Sequence, residues 1–284
     1  MNPVSRTAYY CTGVRALDAR SRAPFCGDRY AEGFMDDEAW RLFAPFRRFH
    51  APNGSNVVRH RMIDDLLRAR LAAHPHLRVV LVGAGFDSRA FRLGGGRWLE
   101  VDEAPLLAFK ESRLPAAECP NPLQRIAIDF ASESLAVKLA PFAAQDRESP
   151  AVAVIEGVLM YLSESQIRTL AATLRDLFPD LEIICDVATR LFFERYGRRL
   201  HARIRDLGTS FTLPDRPLEA ILADEGFAQR ASESIPGRAA ELRALSLPTR
   251  LAVRLLPSLR DGYTIRVFGR VGLEKPVSSR EAST

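Results

Sequence analysis

A run of fifteen residues from Arg78 to Arg92 carries the densest chemical signal in the chain: Arg-Val-Val-Leu-Val-Gly-Ala-Gly-Phe-Asp-Ser-Arg-Ala-Phe-Arg. An apolar stretch able to form a strand ends in Gly83-Ala84-Gly85, and a helix-compatible stretch follows. Glycine lets a backbone lie against a nucleoside or its substituent, because a Cβ would hold the two apart. Nineteen residues beyond Gly83, the run Trp-Leu-Glu-Val-Asp ends in Asp102, whose carboxylate can accept both ribose hydroxyl hydrogens. A third run closes on Asp129, placed to cap an adenine amino group. Two glycines alone are common in turns. With acids ending the next two strands, they describe a nucleoside pocket.

The type of nucleoside follows from the next residues. A dinucleotide fold has a third glycine three positions after the second, where a helix packs tightly beneath a pyrophosphate. Here Ser88 holds that position, and Asp87 puts an anion where a diphosphate would approach. This disfavours a nicotinamide dehydrogenase. A ligand without phosphates, such as S-adenosylmethionine, tolerates the acid.

These residues must be positioned by an alternation of short β-branched runs with helical stretches, the pattern of a parallel sheet wound with helices on both faces. Strands are expected at 78–82, 98–101, 124–128, 151–155, 182–186, about 228–232 and 263–270. Helices are expected at 104–114, 132–140, 164–177 and 217–224. The first 77 residues read as helical: Trp40, Phe43, Phe46 and Phe49 fall three apart over 36–49, and Val57, Ile63, Leu66, Leu67 and Leu71 form a stripe over 56–73. Such stripes are expected to be core. The resulting division is a helical cap at 1–77, a Rossmann-like α/β core at 78–275 with an insertion at 188–215, and a flexible polar tail at 276–284. Prolines 214, 217, 236, 248 and 257 are read as punctuating loops around the last strands.

Composition sets the outer limits. The 284 residues are 47% hydrophobic and 26% charged, which suits a globular chain and excludes disorder and a disulfide miniprotein. No apolar run is long enough to span a membrane, and the N-terminus lacks the apolar centre of a signal peptide, so a cytoplasmic protein without a membrane partner is expected. Cys11, Cys26, Cys119 and Cys185 form no CxxC pair, and the five histidines show no metal spacing, so no metal is expected. Forty basic residues against thirty-five acidic ones give +5, spread without the concentrated stripe that nucleic acid requires.

The Val-Gly-Ala-Gly-Phe-Asp-Ser-Arg-Ala-Phe-Arg-Leu run, Glu100-Val101-Asp102, Asp129-Phe130 and Ile155-Glu156-Gly157-Val158-Leu159-Met160-Tyr161-Leu162 resemble, in order and spacing, the leucine carboxyl methyltransferase family. That family includes eukaryotic phosphatase methyltransferases and bacterial O-methyltransferases, some acting on polyketide carboxylates. The resemblance covers about residues 59–186, reaches Asp28-Arg29-Tyr30-Ala31 more loosely, and fades beyond Ala188, where acceptor choice is expected to be set. It implies a class I methyltransferase with a mostly parallel sheet, an antiparallel last strand and S-adenosyl-L-methionine as cofactor. By resemblance, Gly83 and Gly85 approach the methionine part, Asp102 the ribose, Asp129 and the Phe130 backbone the adenine, and Glu156 the ammonium. Arg59 matches an arginine that pairs with the cofactor carboxylate, as a planar fork suits a carboxylate. Arg61, or an N-terminal arginine such as Arg15 or Arg22, is the competing choice.

The acceptor is expected to be a small, anionic organic molecule. A carboxylate is ionised at neutral pH and needs no general base, which agrees with the absence of a Ser-His-Asp order or an obvious histidine base. A phenol or alcohol would need one, and His60 or Tyr161 would be the groups to examine. Tyr161 either packs under the sheet end or orients the acceptor. In the insertion, Arg190 and Arg195 either form a solvated helix face or hold an anionic acceptor, with Phe193 either core or a hydrophobic contact for it. A cofactor-binding regulator without turnover is the non-enzymatic alternative.

Overall fold

The computed structural model describes residues 3–130 and 132–272. Its centre is a seven-stranded sheet of β1 (Arg78–Val82), β2 (Arg97–Asp102), β3 (Leu123–Ala127), β4 (Ala151–Ile155), β5 (Leu181–Ala188), β6 (Phe227–Ser234) and β7 (Tyr263–Arg270). The spatial order is β3-β2-β1-β4-β5-β7-β6, with β7 antiparallel to both its neighbours and the pairs from β3 to β5 parallel. Every residue of β1 and β4 is buried, which is why both read as unbroken apolar runs. The chain reverses direction of travel across the sheet between β1 and β4. A ligand crevice forms outside the carboxyl ends of strands at such a point.

The N-terminal helices α1 (Pro3–Ala19), α2 (Asp37–Phe43) and α3 (His50–Ala73) cover one face of the sheet. Tyr9, Phe34, Phe43, Ile63 and Leu67 share an apolar layer with Val79, Leu81 and Trp98 of the strands. The turn α4 (Arg89–Arg92) and the helix α5 (Ala104–Arg113) follow β1 and β2. On the other face, α6 (Leu135–Ala143), α7 (Glu164–Leu177) and α10 (Leu218–Asp224) bury Leu139, Ile167, Leu174 and Ile221 against Val80, Leu99 and Ile183. A capping box begins α7: Ser163 Oγ accepts the Gln166 N–H, and the Gln166 side chain accepts the Ser163 N–H.

Two expectations need correction. The helix expected over 36–49 ends at Phe43 and tightens into a 3-10 turn at Ala44–Phe46, because Pro45 has no N–H to continue the α ladder. The prolines after β6 start helices more often than they mark loops. Pro236, Pro248 and Pro257 occupy the first turns of α11 (Ile235–Glu241), α12 (Leu247–Leu255) and α13 (Pro257–Arg260), where a missing N–H costs nothing. The insertion is helical, with α8 (Arg190–Phe192) and α9 (Arg198–Asp206) joined by a π turn at Phe193–Gly197. The tail at 276–284 lies outside the described residues.

Candidate functional site

A cavity of about 500 Å³ opens at the carboxyl ends of β1, β2 and β4, with α1 and the first turns of α7 among its walls. Gly83 and Gly85 form its floor with φ of +66° and +51°, a region open to glycine without strain. A Cβ on Gly83 would sit 2.5 Å from Val158 Cγ2, so the turn after β4 presses directly on this glycine. Asp102 holds the turn from below. Its Oδ2 accepts the Gly85 N–H at 2.7 Å and its Oδ1 accepts the Glu103 N–H at 2.7 Å. Burial raises the Asp102 pKa, and these two N–H donors oppose the shift. Glu103 lines the cavity beside it.

Arg15, Arg59, Asp87 and Glu156 of the cavity wall belong to an ionic cluster that continues into the core. Glu156, at the end of β4, receives Arg59 Nε at 2.9 Å and the Arg89 guanidinium at 2.8 Å. Arg59 also donates to Asp186 Oδ2 at 3.1 Å and to the Tyr263 hydroxyl at 2.7 Å, while Asp186 Oδ1 accepts the Gly157 N–H at 2.6 Å. Arg89 reaches Asp64 at 2.6 Å and Asp87 as well, and Arg92 meets Asp64 at 2.6 Å. Arg15, from α1, binds Asp28 at 2.9 Å and the Phe86 carbonyl at 2.8 Å. Burial alone would raise the Glu156 pKa, but Arg89 and Arg59 hold it well below the usual carboxylate range. Four buried guanidiniums (Arg15, Arg59, Arg89, Arg92) face five carboxylates (Asp28, Asp64, Asp87, Glu156, Asp186), a formal excess of one negative charge. His60, Asp87 and Glu156 lie close enough together to suggest a metal site, but Arg89 touches all three and supplies the cation.

Of the residues singled out in the sequence, Arg59, Gly83, Gly85, Asp102, Phe130, Glu156 and Tyr161 all line this cavity. Arg59 has one nitrogen on each edge of its fork already engaged, and its remaining Nη2 approaches Cys11 Sγ at 3.7 Å. Arg15 lines the cavity, whereas Arg61 turns to Asp65 and the Phe25 carbonyl, and Arg22 is exposed. Asp129 is exposed and accepts the Ser132 hydroxyl at 2.6 Å; its neighbours Phe130 and Glu133 line the cavity in its place. Arg190 pairs with Asp215 at 2.7 Å, and Arg195 lies over the Tyr196 ring, both outside the cavity. Phe193 acts at one remove: it packs on Phe211, with ring centroids 4.7 Å apart, and Phe211 packs edge-on against Tyr161.

Sequence reasoning missed Asp186, Arg89, Arg92, Asp64 and Tyr263. Asp186 carries the signal that marked Glu156, an acid closing an apolar strand. Arg89 and Arg92 fall three apart within the glycine-loop motif, which puts both on one side of a helical turn. Nothing local marks Tyr263, which reaches the site only through the antiparallel pairing of β7 with β5.

The cluster makes stability depend on pH. Burial, and then the charge of Arg89, lower the His60 pKa, so the folded chain keeps this imidazole neutral. Below about pH 6.5 the unfolded chain binds a proton there that the folded chain does not, and stability falls with pH through that point. Against the opposing effect of burial, Arg15 and Arg92 bring the Asp28 pKa to about 2, and Asp64 is lowered as well. The stability these carboxylates contribute is present above about pH 4 and lost as pH falls towards their folded values. Melting curves should therefore show Tm declining gently below neutrality and steeply in acid. His60→Asn should flatten the first decline, leaving the smaller share of His201, whose pKa burial also lowers. A wild-type Tm that stays level between neutrality and the carboxylate range would contradict a neutral, buried His60.

The sheet order, the antiparallel β7 and a glycine-floored crevice at the β1–β4 switch point define a class I methyltransferase fold. The chain belongs to the leucine carboxyl methyltransferase family, whose model matches residues 8–175. A Streptomyces avermitilis relative named "Putative S-adenosyl-L-methionine-dependent methyltransferase" is 34% identical over 184 residues, and a Streptomyces coelicolor protein with the same description is 35% identical over 184. Each match covers 58% of this chain and 62% of the relative, so the chain spans about three fifths of the length of these curated relatives. The tetracenomycin polyketide synthesis O-methyltransferase of Streptomyces glaucescens is 26% identical over 89% of this chain and 91% of its own length. A solved Thermobifida fusca structure, named with the same qualifier as a methyltransferase, superposes with a TM-score of 0.57 at 18% identity, covering 90% of this chain and 93% of that one. A protein of unknown-function family 574 from Streptomyces avermitilis gives 0.52 at 11% identity, covering 91% and 96%. The cofactor expected from the sequence, S-adenosyl-L-methionine, is the one in the names of the Streptomyces relatives.

Proposed function

We propose that this chain is an S-adenosylmethionine-dependent O-methyltransferase that forms a methyl ester on a carboxylate of a small organic acceptor. The observation that carries the cofactor half is the set of glycines and acids gathered around one cavity at the carboxyl ends of β1, β2 and β4. S-adenosylmethionine bears a sulfonium, an ammonium and a carboxylate, a net of one positive charge, and the cavity wall is acidic, with Asp87, Asp102, Glu103, Glu133 and Glu156 against Arg15 and Arg59. Asp87 lines the cavity where a diphosphate would lie, so a phosphate-free nucleoside fits better than a dinucleotide. Gly83 and Gly85 would face its methionine part, Asp102 or Glu103 its ribose, Ile128 and Phe130 its base, and Glu156 its ammonium. Arg59 or Arg15 would face its carboxylate.

When bound, the cofactor supplies a methyl group on a sulfonium, which an oxygen displaces in line with the departing thioether. The chain's own residues have to align the acceptor and exclude water, and positioning of this kind can supply most of the rate. Among the described residues, no histidine or lysine lines the cavity. Burial raises the Tyr161 pKa well above its usual value, so its hydroxyl keeps its proton and can donate to an acceptor oxygen but not deprotonate one. A carboxylate needs no deprotonation at neutral pH. The Streptomyces glaucescens relative, an O-methyltransferase of polyketide synthesis, supports an oxygen acceptor. The packing of Phe193 and Phe211 behind Tyr161 gives the insertion a way to set the tilt of that ring, and so acceptor choice.

The product tests this reading. With methyl-labelled cofactor and a panel of small acids, the label should be released as methanol by mild alkali. Label that stays attached would mark an aryl ether or N-methyl product and overturn the ester assignment.

A further inference from the structure

Residues 242–260 contain seven leucines, four arginines and no acid. Within them α12 buries Val253 and leaves Leu247 63%, Leu251 52% and Leu255 74% exposed, followed by Leu256 at 38%. The first three fall four residues apart and so make one stripe along the helix. Arg243, Arg250 and Arg254 form no ion pair among the described residues, unlike Arg260, which binds Asp261. The other large exposed apolar side chains, such as Val137 and Val271, are scattered and need no partner.

We propose that this leucine stripe and its arginines form a docking surface for an anionic lipid bilayer. A basic amphipathic helix suits that role because leucines enter the headgroup boundary while guanidiniums pair with lipid phosphates. A second copy of the chain fits less well. Two such surfaces meeting across a twofold axis would set unpaired arginines against each other. The four leucines together expose roughly 400 Å², about half of the ~800 Å² per partner that a stable dimer buries. No helix among the described residues is long and apolar enough to cross a membrane, so the association is peripheral. It departs from the absence of a membrane partner expected from the sequence.

The test is sedimentation with phosphatidylcholine vesicles, either pure or containing phosphatidylglycerol, at low salt. The chain should pellet with the anionic vesicles, stay in solution with the neutral ones, and be released as salt rises. Leu251→Ser with Leu255→Ser should cut the bound fraction about tenfold or more, since each change removes several buried methylene equivalents. Arg250→Glu with Arg254→Glu should do the same. Leu251, Arg254 and Leu255 are exposed and Arg250 is partly so, and unchanged S-adenosylmethionine affinity would show that both variants are folded. No pelleting with anionic vesicles would overturn the proposal, as would pelleting that survives the leucine changes and so rests on charge alone. A wild-type dimer in light scattering that the leucine variant converts to monomer would also overturn it, by giving the stripe to a second copy.

Discussion

Arg89→Ala should unfold far more easily than the wild type, with a loss of about 3 to 5 kcal/mol and a fall in Tm of roughly 10 °C. Arg89 is fully buried, and its guanidinium joins carboxylates from three segments: Asp64 of α3, Asp87 of the glycine loop and Glu156 just after β4. Alanine would leave Asp64, Asp87 and Glu156 without their common cation, with Arg92 still on Asp64 and Arg59 still on Glu156, and the penalty is the desolvation of these acids more than the lost attraction. Arg89→Lys should recover only part of the loss, because a single ammonium cannot span acids on three sides as a planar fork does. Urea unfolding of the three proteins measures the difference. A loss under about 1 kcal/mol in the alanine variant would mean that the cluster is solvated and behaves as a surface network.

The second large effect is on ligand affinity. Asp102→Ala should weaken S-adenosylmethionine binding at least about tenfold, since each hydrogen bond to a charged group contributes roughly 1.5 to 3 kcal/mol. Both Asp102 oxygens already hold backbone N–H groups of the glycine turn and of Glu103. The substitution therefore acts twice, removing an acceptor for the ribose and releasing the Gly85 turn. Glu103→Ala separates the two effects. If it leaves affinity near wild type, Asp102 is the ribose acid; if it costs as much as Asp102→Ala, the ribose sits on Glu103 and Asp102 serves the turn. Wild-type affinity in both variants would show that the ligand lies elsewhere.

The legible and illegible parts of this molecule divide along a physical line. The first and fourth strands were readable to the residue because both faces are covered, so their sequences are apolar without interruption. The glycine turn was readable because its backbone tolerates no Cβ. The role of Arg89 was not, because a buried arginine and a solvated one look alike until the acids of three distant elements are brought around it. Asp129 differs from Asp102 in placement: it lies two residues past the end of an edge strand, exposed, where its carboxylate accepts the Ser132 hydroxyl while Phe130 and Glu133 line the cavity. The insertion left its alternatives open for a third reason. Its arginines Arg190 and Arg195 face solvent, and its contact with the cavity wall runs through the packing of Phe193 on Phe211 and of Phe211 on Tyr161, a route without any sequence period.

The most direct measurement is calorimetric titration of the wild-type chain, with no metal added, by S-adenosylmethionine, S-adenosylhomocysteine and a nicotinamide dinucleotide. The cavity's acidic wall, its glycine floor and the acid at Asp87 predict saturable one-to-one binding of the first two and none of the third. Binding of the dinucleotide with no heat from either adenosyl ligand would contradict the account at its centre.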